Sequence, residues 1–430
     1  MSLVEPLLPT HLGDGRVHYA RGMRAGPWVF ATGIMATDAR TGLLSGRLSS
    51  QLPLHGEPRG RIEAELVFDR AHEVIAAGGA DLDRIVRLDQ FFSDARAVSS
   101  YQAVRKARLG RYVPPSTSIL QPGCALPGAT MEVSLIALSS DARCEIEAFA
   151  PPELDVPAGA GFSPVVACGD YVFIAGFMAA WKPGDLGGIA PEAQMPPGHL
   201  WKGSRIELET EYLIERKLMP ALHAAGASKD SVVKAHIYLR DIEDLPGCNR
   251  VWRRHFGASP PASLVVQTAR PGFAIEDARV EINLLALRSQ AGTTKATIES
   301  ARFVGMSGQP AAVRAGDLLL ISGLMALTDD GPAPGVMADA RAPHFGSTIE
   351  AQMEHILDTA EDICHQAGAS LDNVVRVQQF HTDLAEFYPA YRVWQRRLRS
   401  QPVPFSALRV LAPHAVAPCT VLVDLWVYAP

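Results

Sequence analysis

The sequence predicts an α+β fold of three tandem units, each a mixed sheet with two helices on one face, closing into an intramolecular pseudo-trimer. Three observations predict it. The phrase "GPWVFATGIMA" beginning at Gly26 returns as "GDYVFIAGFMA" at Gly169 and "GDLLLISGLMA" at Gly316, with Gly33, Gly176 and Gly323 at matching places. A second anchor reads "GGADLDRIVRLDQFFSD", "AGASKDSVVKAHIYLRD" and "AGASLDNVVRVQQFHTD", and sets Gly79, Gly226 and Gly368 at one fixed distance before Asp94, Asp241 and Asp383. Each copy then ends in an apolar strand, "TMEVSLIAL", "RVEINLLAL" or "TVLVDLWVY". The units are expected at 1–140, 141–290 and 291–430.

Within a copy, turn residues such as "DARTG" after the opening phrase predict a hairpin-like strand pair. Apolar residues at helical spacing then predict helices over 62–77, 206–225 and 349–366, each stopped near a glycine. The strand "IVRLDQFF" follows. Its alternation places Val86 and Leu88 on one face and Arg87 and Asp89 on the other, so one side packs and the other meets a wetter surface. The second helix, "YQAVRKARL", "NRVWRRHF" or "YRVWQRRL", is rich in Arg and aromatics and reads as a solvated outer face. Two last strands complete a sheet that helices cover on one side only. The bare side needs a partner sheet, and three copies in one chain supply it internally.

Composition narrows the function classes. With 430 residues and 47% hydrophobic content the chain can bury globular cores. Forty Lys and Arg against 46 Asp and Glu, net −6, argue against a nucleic-acid or anionic-membrane partner and for small molecules. Six scattered cysteines form no CxxC pair, and no HExxH occurs, so no metal and no disulfide framework is expected. Reduced thiols, a start lacking a basic stretch before an apolar run, and the lack of a long uncharged segment lead us to expect a cytoplasmic protein. Pairing of rings into a homo-oligomer is left open.

The order "G-x6-G", "AGA" followed by "VVK" and an Asp, then "PPASLVVQTARP" and "VEINLLAL", clearest over 161–287, resembles the Rid superfamily, also called the YjgF family. The resemblance implies chorismate-mutase-like domains that typically form homotrimers, with small-molecule clefts between neighbours. This chain then resembles such a trimer fused into one polypeptide. Deaminating members hydrolyse enamines and imines of amino acids without a cofactor. In them an arginine grips the substrate carboxylate and a glutamate on the last strand orients water. At the arginine position this chain carries Thr117, Ser263 and Ser406, which can present hydroxyls or simply fill the space. The glutamate is matched by Glu132 and Glu281, whereas the third copy has Leu422. Tyr19 matches a ring lining the family's cleft, and Gly33, Gly176 and Gly323 either let backbone approach a ligand or serve a tight strand.

Something else must then hold an acidic substrate. The loops "HGEPRGRIE" and "HLWKGSRIE" offer His55 and Arg61, and His199, Lys202 and Arg205, beside the free N–H groups of a helix start. The third copy keeps His344 without an arginine. His236 stands where the other copies have Asp89 and Gln378, lining a central cavity or serving the core. The leading expectation is a hydrolytic deaminase of an enamine or imine carboxylic acid, with 2-aminomuconate as the best match. A non-catalytic binder of small carboxylates is the alternative. A ring-opening amidohydrolase of the barbiturase and cyanuric acid type is a third reading, but the sequence shows no serine–lysine motif for it.

Overall fold

A computed structural model describes the chain except for residues 1–2, 13–15, 39, 49–55, 155, 157–160, 182–186, 199–203, 291, 307, 340, 342–345 and 399–401. One strand order is written three times. In the first sheet Glu5–Leu7, Gly22–Ala25, Trp28–Ile34, Met131–Leu138, Ile85–Phe92 and Ser116–Leu120 lie side by side. The second runs Ile146–Phe149, Val165–Cys168, Tyr171–Phe177, Val280–Arg288, Ala227–Leu239 and Ala262–Gln267. The third repeats this with Lys295–Ile298, Ala312–Ala315, Leu318–Ile321, Val421–Tyr428, Val374–His381 and Ser406–Arg409. In each of these sets of six the last pairing is parallel and the others antiparallel, which makes the sheets mixed.

Two helices cover one face of each sheet: Arg59–Ala77 and Arg96–Leu109, then Arg205–Leu213 with its continuation and Leu245–Phe256, then Thr348–Gln366 and Phe387–Arg397. In the second unit the first helix widens into a π segment, Ile214–Leu218, before resuming as Met219–Ala224. Pro220 explains the widening, because it lacks an N–H and its ring clashes with the carbonyl of an ordinary preceding turn. Val67, Phe68 and Val74 pack on Leu88, Phe92, Val133 and Leu135 to form the first unit's own core. The other units repeat the arrangement. A buried residue on each first helix also secures the start of the last strand: Glu63 accepts from Thr130 N (2.7 Å), Glu209 from Arg279 N (2.8 Å) and Gln352 from Thr420 N (2.9 Å).

The uncovered faces meet one another. Phe30, Val86, Ile136, Phe173, Val233, Leu285, Leu320, Val375 and Trp426 come from all three sheets and form one buried cluster. Burying each large apolar side chain is worth roughly 1.5–3 kcal/mol, so this shared core holds the ring shut. Backbone bonds repeat around it: Ala20 N to Val403 O (3.2 Å), Ser163 N to Val113 O (2.7 Å) and Gly323 N to Ser263 O (2.9 Å) join third to first, first to second, and second to third. Gly123–Cys124 of the first unit even joins the third unit's sheet, at Leu408 and Arg409.

Two local expectations change. The opening strand makes its hairpin with the strand before it, Gly22–Ala25, and "DARTG" only closes a small loop bridged at Thr37 and Leu44. On Ile85–Phe92 a register shift between Ile85 and Arg87 breaks the simple alternation. The extra residue sends Val86 to the central cluster, while Leu88 stays in the unit's own core.

Candidate functional site

At the boundary of the third and first units lies a cavity of about 220 Å³. Tyr19, Arg21, Thr32, Gly33 and Arg70 line it from the first unit, and Phe387, Tyr391 and Phe405 from the third. The aromatic wall is rigid: Tyr391 meets Phe405 edge-on at 5.4 Å, and Phe387 meets Phe405 edge-on at 6.1 Å. The Tyr391 hydroxyl also donates to His18 O and accepts from His18 N, both at 2.6 Å, which ties the third unit's helix to the first unit's strand. Tyr19 lines the first unit's side of this cavity.

Behind this wall stands a carboxyl group. Ser406 donates to Glu132 Oε1, and the second oxygen, Oε2, is buried without a partner. Burial pushes Glu132 up to about 8, against the pull of the Ser406 hydroxyl and the Ala407 N–H, so it is a neutral acid at pH 7. Glu132 is not part of the cavity wall. It reaches the wall through Ser406, whose neighbour Phe405 lines the cavity and whose backbone presses on Gly33. A methyl group at Gly33 would fall 1.9 Å from Phe405 O, and the residue has φ +69, so only glycine fits.

The other boundaries are built differently. Between the first and second units Thr117 and Glu281 converge on Gly176, whose missing Cβ would lie 2.1 Å from Glu281 Oε1 and 2.9 Å from Thr117 Cγ2. Burial alone raises Glu281 to about 8. At the place of Tyr19 the second unit has Phe162, which packs against the cores of both units. Between the second and third units Leu264 and Leu422 flank Gly323, and Gln309, at the place of Tyr19, donates to Ser263 O. That boundary carries no carboxyl group at the glycine.

Ser263 is thus not the counterpart of Thr117 and Ser406. The parallel pairings Asp89 with Thr117, His236 with Leu264 and Gln378 with Ser406 put Leu264 there. Ser263 points elsewhere, donating to Pro261 O at 3.2 Å. Counting from the prolines shifted the second copy by one residue; counting from the helix anchors Asp94 and Asp241 lands on Leu264.

The loop arginines do not form matching anion sites. Arg61 is exposed and paired with Glu57 at 3.5 Å. Arg205 binds Glu209 (2.8 Å) and Asp277 O (2.5 Å), and its counterpart in the first unit is Arg59, which approaches Glu63 and donates to Gly128 O (2.6 Å). Both brace the first helix against the turn before the last strand. His55, His199, Lys202 and His344 lie outside the described residues.

The cations at the cavity are Arg21 and Arg70, which sequence reasoning missed. Arg21 Nη2 lies 3.0 Å and Arg70 Nη1 2.5 Å from the two oxygens of Glu73, and Arg70 Nε donates to Thr37 O at 3.1 Å. Burial works to raise Glu73, but the two arginines carry it below the usual carboxylate range. Two guanidinium groups share one half-exposed carboxylate, so a positive charge is left at the cavity. Pro164 and Ala311 stand at the place of Arg21 in the other units, and the hint in the sequence was this single unrepeated arginine.

Among the described residues one group has metal-ligand spacing: Glu211, Glu215 and His255, within 4.8 Å of one another. The sequence reading found no such cluster, because the helices that carry it meet only in the fold. It sits on the helical surface, far along the chain from the cavity residues, with His255 and Arg254 already bonded to Glu211. Among the described residues no helix is long and apolar enough to cross a membrane.

The chain is similar to several known proteins. A RutC family protein of Pyrococcus abyssi is 33% identical over 109 residues, 25% of this chain and 74% of the relative. A RutC family protein of Pyrococcus horikoshii is 30% identical over 127 residues, 30% of this chain and 86% of the relative. A chorismatase crystal structure aligns over 80% of this chain and 93% of its own, at 12% identity and a TM-score of 0.47. The family model described as Endoribonuclease L-PSP matches at 14–150, again at 154–288 and again at 300–424, so the chain belongs to that family, the Rid or YjgF superfamily, three times over.

Proposed function

We propose that the chain is a cofactor-independent hydrolytic deaminase of an enamine or imine carboxylic acid, working in the crevice between its third and first units. The observation that carries this reading is a fully buried Glu132, pushed up to about 8 by that burial, joined through Ser406 to a cavity that also holds spare positive charge from Arg21 and Arg70. The reaction needs a proton donor first. Neutral Glu132 protonates the enamine carbon, through Ser406 once the seam between Gly33 and Phe405 opens, and leaves an iminium carboxylate and a Glu132 carboxylate. That carboxylate takes a proton from water as the water oxygen bonds to the imine carbon. The proton returns to nitrogen, the C–N bond breaks and ammonia leaves; the hydroxyl on the same carbon gives its proton to the Glu132 carboxylate, which leaves a ketone in place of the imine and restores the neutral acid. Arg21 and Arg70 hold the substrate carboxylates once Glu73 yields to the incoming acid. Two arginines suit a dicarboxylate, and 2-aminomuconate is the substrate we propose first.

A non-catalytic carboxylate binder is the second reading, favoured by the complete burial of Glu132 and Ser406. The amidohydrolase reading has less support. Among the described residues one serine–lysine contact occurs, Lys295 Nζ to Ser259 Oγ at 2.9 Å, but that hydroxyl donates to Asp230 O and the lysine is capped by backbone carbonyls. The test is ammonia release from 2-aminomuconate by the intact chain and by Glu132→Gln and Glu281→Gln. Loss in Glu132→Gln alone supports the assignment. Full turnover in that variant removes it, and saturable carboxylate binding without any turnover favours the binder.

A further inference from the structure

The three sheets place Arg87, Lys234 and Arg376 at equivalent positions beside the ring axis, each directly after the bulge and nearly inaccessible to solvent. Two residues on come Asp89, His236 and Gln378, paired across the last strands with Ser134, Asn283 and Asp424. The repeat therefore supplies a cation from every unit but a carboxylate from only two.

The pairings show where the imbalance sits. Lys234 Nζ lies 2.5 Å from Asp424 Oδ1 and donates to Ile321 O. Asp424 has no other cation in contact except His236, which burial pushes down to about 4 and which is therefore neutral. A neutral Lys234 would leave Asp424 as a buried, unpaired charge, so Lys234 stays protonated. Asp89 must then serve both guanidinium groups: Arg87 grips both its oxygens at 2.9–3.1 Å and Arg376 Nη2 donates to Oδ2 as well. The remaining Arg87 bonds go to neutral acceptors, Asn283 Oδ1 at 2.8 Å and His236 Nδ1 at 3.0 Å. Trp426 lies against Arg376 at 5.1 Å and softens the charge without cancelling it.

Three buried donors near this spare charge have no partner: Arg376 Nη1, Gln378 Nε2 and the Tyr238 hydroxyl. Arg376 and Gln378 touch at 2.9 Å, and the charges of Asp89, Arg87, Arg376 and Asp424 all act on the buried Tyr238 hydroxyl. We propose that these donors hold a monovalent anion of halide size on the pseudo-threefold axis, a structural site separate from the crevice chemistry. The anion supplies the charge that the second unit's His236 and Asn283 do not, and it locks the three units together.

Bromide tests this in the full-length chain. Crystals grown in sodium bromide should show a bromine anomalous peak on the axis beside Arg376. At constant ionic strength, replacing gluconate by bromide should raise the thermal midpoint by about 1–2 °C per tenfold bromide once the site saturates. Arg376→Gln, which balances the charges, should abolish that rise. Tyr238→Phe, which keeps the ring and removes one donor, should weaken bromide by about tenfold and serves if Arg376→Gln does not fold. An axis without a bromine peak, equal midpoints in bromide and gluconate, or a bromide response unchanged in Tyr238→Phe would each overturn the proposal.

Discussion

The crevice between the third and first units and the crevice between the second and third are made from the same strands in the same order, yet only the first unites a carboxyl group, a hydroxyl and a cationic cavity. In one, Ser406 meets Glu132 behind Gly33, and Tyr19, Arg21 and Arg70 face an aromatic wall. In the other, Leu264 and Leu422 occupy the places of Ser406 and Glu132, and Gln309 replaces Tyr19 and bonds to the opposite backbone. At its glycine the second crevice is an apolar joint. A homotrimer must carry the same residues at every boundary, whereas a fused chain is free to make one boundary a site and another a fastening.

This contrast can be broken most decisively at Glu132. Glu132→Gln should lower kcat for deamination by about 10²- to 10⁴-fold, the usual worth of a positioned acid–base group, while Leu422→Glu should restore no activity. Steady-state ammonia release reads both. Equal effects at Glu132 and Glu281 would show that two crevices work.

The glycines separate the boundaries by stability. Gly33→Ala should cost about 2–4 kcal/mol, because the new methyl meets backbone at Phe405 O and the residue sits at φ +69. Gly323→Ala meets only the ends of Leu264 and Leu422, at 2.9 and 3.1 Å, and should cost about 1 kcal/mol. Urea unfolding of the two variants compares them.

Arg21→Ala and Arg70→Ala sharpen the comparison further. Each should raise KM by about 10- to 100-fold, the worth of a charge-assisted hydrogen bond, with a smaller effect on kcat. A change in kcat alone would place these arginines outside substrate binding.

The smallest expected effect is in pH. Glu132 and Glu281 are raised to about 8 when folded, far above the ordinary carboxylate value near 4.5. Between those values the folded chain holds protons that the unfolded chain has released, so stability is greatest at low pH and is lost as pH rises toward 8. Each group should cost about 1 kcal/mol per pH unit in that window. Glu281→Gln should flatten the slope by one group's share, seen in denaturation midpoints at pH 6 and pH 7. Turnover should fall above pH 8 in the wild type, as Glu132 loses its proton.

Much of this molecule was legible in its sequence. Gly33, Gly176 and Gly323 marked the repeats, helical spacing located the first helices to within a few residues, and the resemblance pointed to Glu132 and Tyr19. Misreadings arose where two copies had to be aligned through a loop. Arg205 was matched to Arg61 when its bonds match those of Arg59, and Ser263 stood in for Leu264. Insertions of one or two residues leave local patterns intact and move the partner across the sheet.

By itself the sequence determined three α+β units and the places of their first helices, because periodicity acts between residues close along the chain. Only the tertiary structure decided which boundary became a cavity, that Arg21 and Arg70 would share Glu73, and that Arg87, Lys234 and Arg376 would converge on one axis. Those outcomes depend on side chains that meet across units or from distant strands and helices, where charge balance and packing are settled by neighbours that no single repeat contains.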